Sequence, residues 1–71
     1  MKSLKEIREE KEITQEDMAH SLKISKSHYC NLENGKRRLS YGLAKNISNI
    51  LDVPLDGIFF EGQVIKLKTN D

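Results

Sequence analysis

Apolar side chains in this chain recur at intervals of three and four, and a small hydroxyl residue stands ahead of nearly every recurrence. That period belongs to amphipathic helices. Ser3 followed by Glu6 is a capping-box pattern, and it opens a predicted helix to about Glu12 with Leu4 and Ile7 inward. Thr14 caps a second helix, Gln15 to Leu22, with Met18, Ala19 and Leu22 on its inner face. After a short turn at Lys23-Ile24, Ser25 caps a third that ends at Asn34-Gly35, where glycine suits the left-handed closing residue. A fourth runs from about Ser40 to Leu51, with Leu43, Ile47, Ile50 and Leu51 at helical spacing. Pro54 opens a short fifth turn through Phe59. The expectation is a compact all-α, five-helix domain over residues 1–61, followed by a tail over 62–71. The tail's Val64, Ile65, Leu67 and Thr69 fit an edge strand, a partner-binding arm or a disordered end equally.

The second and third helices, joined by a tight turn, make the informative unit. In such a pair the second helix enters the DNA major groove and the first lies across it. At about 100° per residue, Lys26, Ser27, Cys30, Asn31 and Asn34 share one arc of roughly 140°. Tyr29 and Leu32 point the other way and serve as anchors. Asn31 can pair bidentately with adenine N6 and N7, Lys26 can reach guanine O6/N7 or a phosphate, and Ser27 can bond either. These three are the candidate base contacts. Gln15 and Ser25, with the backbone donors of the two helix starts, suit phosphate oxygens. Asn34, Lys36, Arg37 and Arg38 add a phosphate clamp, with Lys23, His28 and Cys30 close by.

Charge sharpens this picture. The net charge is +1, but residues 23–45 carry six Lys/Arg against Glu33 alone, and the flanking segments are each acidic by two. Basic charge gathered in the middle third is what one face directed at a polyanion requires. The run Glu9-Glu10-Lys11-Glu12 should lie away from that face.

Thr14-Gln15-Glu16-Asp17-Met18-Ala19, Leu22-Lys23-Ile24-Ser25, Leu32-Glu33-Asn34-Gly35-Lys36-Arg37 and Leu51-Asp52-Val53-Pro54-Leu55-Asp56-Gly57-Ile58-Phe59 together resemble the lambda-repressor-like (Cro/CI, or xenobiotic-response-element) helix-turn-helix family. The similarity covers about residues 3–60 in order and spacing. It implies a five-helix fold, frequent dimerisation and repression from inverted-repeat operators. By position it marks Gln15, Asn34 and Lys36 as backbone contacts, Lys26, Ser27 and Asn31 as base contacts, and Arg8 with Glu33 as an internal ion pair. Two departures stand out. Lys23 occupies a turn position where the family usually has glycine, and the segment before Ser40 lacks the common proline.

Other chemistry is thin. His20, His28 and Cys30 lack the paired spacing of a metal site, and no cofactor is expected. Cys30 is most simply an ordinary small residue near the DNA. No clustered carboxylates, nucleophile–base set or Gly-rich phosphate loop suggests an enzyme or a small-molecule substrate. The lone cysteine and the lack of a signal-type or membrane-spanning apolar run point to the cytoplasm. Of Phe59 and Phe60 one should close the core; the other is open between burial within the chain and a homodimer contact, for which Phe60, Val64 and Ile65 are the candidates. The expected function is a double-stranded-DNA-binding transcriptional regulator. The alternative is a protein–protein module, such as an antitoxin or anti-repressor, acting through Phe60 and the tail.

Overall fold

A computed structural model describes residues 2–62. The order is β1 (Lys2–Ser3), α1 (Leu4–Glu10), α2 (Gln15–Leu22), α3 (Lys26–Glu33), α4 (Tyr41–Leu51), a 3₁₀ turn (Leu55–Gly57) and β2 (Ile58–Phe59).

Each α-helix begins in the same way. Ser3, Thr14, Ser25 and Ser40 sit in extended backbone, and each side chain accepts from the amide three residues on. Ser3 and Glu6 complete the capping box, because the Glu6 carboxylate accepts from the Ser3 amide at 2.9 Å. Each helix also ends in the same way. Ile13, Ile24, Lys36 and Val53 donate to carbonyls five residues back, on Arg8, Ala19, Asn31 and Ser48. The residue before each donor has positive φ: Glu12, Lys23, Gly35 and Asp52. This is the Schellman geometry, which satisfies carbonyls a helix end would otherwise leave bare. Three of the following residues, Ile13, Ile24 and Val53, fold their side chains onto the core.

Only at α3 is the left-handed residue a glycine, and there the fold requires it twice. A Cβ on Gly35 would meet the Glu61 carbonyl oxygen at 2.7 Å, besides carrying a φ of +79°. At Lys23, with φ +60°, an L side chain costs about 1 kcal/mol relative to glycine. Lys23 nevertheless takes the left-handed conformation that suits glycine.

The expectation of five helices is corrected to four α-helices and one 3₁₀ turn. Pro54 does open that turn, but it lasts only to Gly57, and Ile58 is extended at φ −117°. From there the chain pairs in parallel with β1, Lys2 opposite Ile58 and Ser3 opposite Phe59. The pairing also corrects the placement of Phe60 as an outward contact. Successive residues of extended chain face opposite ways. Ile58 and Phe60 therefore enter the core at 4% and 6% exposure, and Phe59 is left outside at 46%. Val64 and Ile65, and the tail beyond Gly62, lie outside the described residues.

The core gathers Leu4 and Ile7 from α1, Met18, Ala19 and Leu22 from α2, Tyr29 and Leu32 from α3, and Ala44, Ile47 and Leu51 from α4. Leu39, Ile58 and Phe60 close it, with Leu43 and Ile50 half-buried at the edge. Helix α2 packs against both α3 and α4, so the core holds the helix pair from behind.

Candidate nucleic-acid interface

Helix α3 is eight residues long, too short to hold its shape by propensity alone. Its position comes from what it buries. Tyr29 is wholly enclosed, Leu32 nearly so, and Glu33 is 4% exposed between α1 and α2.

Glu33 is the hub of a polar cluster, and all four of its acceptor positions are filled. Arg8 Nε and Tyr29 Oη donate to Oε2 at 2.8 Å each. Gln15 Nε2 donates to Oε1 at 2.9 Å, and a second Arg8 nitrogen does so at 3.3 Å. Arg8 also donates to the Ile13 carbonyl at 2.7 Å, tying the cluster to the end of α1. Among the described residues no buried side-chain polar atom lacks a partner. Burial pushes the Glu33 carboxyl up, but the hydrogen bonds from Arg8, Gln15 and Tyr29 and the Arg8 charge outweigh it. The net direction is below the usual carboxylate value. Its hydrogen bond to Glu33 raises Arg8 despite desolvation. Burial first, then the Glu33 carboxylate, raises the Tyr29 phenol, so it stays a neutral donor. The one acid of the basic segment is thus turned inward and neutralised.

The outward side of α3 is polar. Lys26 and Ser27 are exposed on its first turn, and Asn34 is exposed at its end. His28, Cys30 and Asn31 are half-buried along its length. Asn34 Nδ2 lies 3.5 Å from the Cys30 sulfur. The Ser25 hydroxyl accepts from the His28 amide at 3.0 Å, which leaves the amides of Lys26 and Ser27 as the donors a helix start does not pair. Thr14 does the same for α2, so Gln15 and Glu16 present theirs. Arg8, Thr14, Gln15, Glu16 and Lys26 line one open depression between these two helix starts. Lys36, Arg37 and Arg38 follow as exposed residues beyond Gly35, and Lys23 is exposed in the turn.

Lys26, Ser27, Asn31, Asn34 and the basic loop therefore share α3 and its exit. Gln15 stands apart, because its amide nitrogen is already engaged with Glu33. That bond and the Tyr29 bond have no place in the sequence reading. Tyr29 and Glu33 stand four apart on one helix, a spacing at which side chains meet, so the second of these bonds left a signal. The first joins residues 18 apart, and spacing carries no trace of it. Among the described residues no group of His, Cys, Asp or Glu is assembled to hold a metal ion. No helix among them is long and apolar enough to cross a membrane.

A helix-turn-helix family model (HTH_3) matches residues 4–58. The chain is also 46% identical over 54 residues to YqaE of Bacillus subtilis (strain 168), an uncharacterised HTH-type transcriptional regulator. The match takes in 76% of this chain and 47% of YqaE, so the chain spans about half the length of that relative. The motifs around Thr14–Ala19 and Leu32–Arg37 lie within the matched region, as do both capped helix starts of the unit and the turn between them. The chain belongs to the Cro/CI-type helix-turn-helix family.

Proposed function

We propose that this chain is a sequence-specific DNA-binding transcriptional regulator, acting as a cytoplasmic repressor at inverted-repeat operators. The observation that carries the reading is the two-sidedness of α3. Tyr29, Leu32 and Glu33 are locked inside, and Lys26 and Ser27 stand exposed with Asn31 on the polar row between them and Asn34. In the major groove, Asn31 pairs with an adenine edge, Lys26 with guanine or a phosphate, and Ser27 with either. Phosphates on one side meet the unpaired amides at the starts of α2 and α3, with Ser25 and Gln15 beside them. On the other side they meet Asn34, Lys36, Arg37 and Arg38. YqaE's description as a regulator supports the reading, and the family is not normally enzymatic.

Repression follows from a bound domain excluding other proteins from its site, and inverted symmetry follows from a homodimer. Half-sites are then spaced by about 34 Å or a multiple of it, one turn of DNA. The exposed Phe59 favours a second reading, a protein–protein module acting on another regulator. Selection of bound duplexes from a random library decides between them. The regulator enriches one sequence with two-fold symmetry, and its affinity falls with salt. A protein–protein module enriches none and shows no affinity for duplex even at low salt.

A further inference from the structure

The Gln15 side chain is the one member of the Glu33 cluster that is half-buried and also lines the depression between the starts of α2 and α3. Glu33 is ionised and can only accept, so the atom facing it is the Gln15 amide nitrogen. The bond joins the first residue of α2 to the last residue of α3. On the proposed reading, the start of α2 is fixed by a phosphate and α3 carries the base contacts. From this geometry we infer that Gln15 is a positioning residue. It sets the attitude of α3 against the phosphate-anchored start of α2, and so governs discrimination between sequences more than overall strength of binding.

Three observations support this role over that of a plain phosphate donor. The hydrogen bond is short, at 2.9 Å, and charge-assisted. Its acceptor is already held on its other oxygen by Arg8 and Tyr29, so the hub does not yield. Helix α3 is only eight residues long, and its one buried side chain outside this cluster is Leu32. Tyr29 sits at mid-helix and Leu32 in the last turn. At the last residue, Arg8 and Gln15 add directed hydrogen bonds from α1 and α2, which fix the angle of the helix where Leu32 fixes only its depth.

The inference rests on the DNA reading, and its test separates the two. The probes are a duplex selected by the wild-type chain and a scrambled duplex of equal length. Gln15→Ala is expected to weaken the selected duplex roughly tenfold and the scrambled one by less than about twofold. Asn31→Ala should then cost markedly less in the Gln15→Ala background than alone, because the two act through one helix position. Gln15→Met keeps the stem and removes only the amide. It gives the same pattern with a melting temperature that, although lowered by the lost bond, stays above the binding temperature, so loss of folding is not the cause. Equal weakening of both duplexes, with costs that add to those of Asn31→Ala, would make Gln15 a phosphate contact and overturn the inference. If the wild-type chain enriches no sequence, the DNA reading itself fails, and the positioning role falls with it.

Discussion

Helix α4 buries Ala44, Ile47 and Leu51 completely, and the only polar side chain among its buried residues is Ser48, whose hydroxyl donates to its own helix at the Lys45 carbonyl. Helix α3 buries two large side chains and an ionised carboxylate that three other residues must satisfy. One is held by area removed from water, which is strong but indifferent to small rotations. The other is held partly by directed hydrogen bonds, which fix an orientation and fail badly if one partner is lost. On the function proposed for α3, this contrast has a use. A surface that must meet base edges needs its angle set as well as its depth, and hydrogen bonds set angles.

The comparison breaks most sharply at Glu33. Removing it leaves the Arg8 guanidinium buried without its counter-charge, so Glu33→Ala is expected to cost about 3–5 kcal/mol in urea unfolding. Ile47→Val in α4 should cost only about 0.5–1.5 kcal/mol. If the two losses are alike, α3 is no more dependent on its polar hub than α4 is on its apolar one.

Acid sharpens the same contrast. The Glu33 carboxyl sits below its ordinary value in the folded chain. Its contribution is therefore fully present above the unfolded value of about 4.3, and is lost as pH falls through the folded one. Thermal melts should decline below about pH 4, and Glu33→Ala should flatten that limb. Tyr29 acts at the other end of the scale. Its raised phenol makes stability fall once the unfolded phenol ionises, above about pH 10.

Smaller effects belong to the turns and the loop. Lys23→Gly relieves a left-handed side chain and should raise stability by up to about 1 kcal/mol, read as a higher melting temperature. Lys36→Ala should leave stability alone, weaken all duplexes alike and reduce the magnitude of the salt slope by about one.

The helices were legible because each begins with a Ser or Thr that has no better place to spend its hydroxyl, and because Leu, Ile and Met recur at 3.6-residue spacing behind it. Lys23 could be recognised as left-handed only against the family's glycine, and Glu12 and Asp52 carried no such flag. The strand pair was not legible, since two residues on each side cannot show an alternation. Without it the sequence leaves the phase of Phe59 and Phe60 undetermined, and it is Phe59, not Phe60, that the strand turns outward. At the interface, the polar row of α3 followed from angular spacing. The bond of Gln15 to Glu33 depends on how α2 crosses α3, which is a property of packing and not of any segment.

The central claim is that the polar row of α3 discriminates between bases, and one residue tests it most directly. A selected duplex is varied one base pair at a time and bound by the wild-type chain and by Asn31→Ala. The wild type should lose affinity at every specified position. Asn31→Ala should bind the parent duplex about 1–3 kcal/mol more weakly and become indifferent at one position alone, with unfolding unchanged. Undiminished affinity of Asn31→Ala for the parent duplex, with every preference intact, would contradict it.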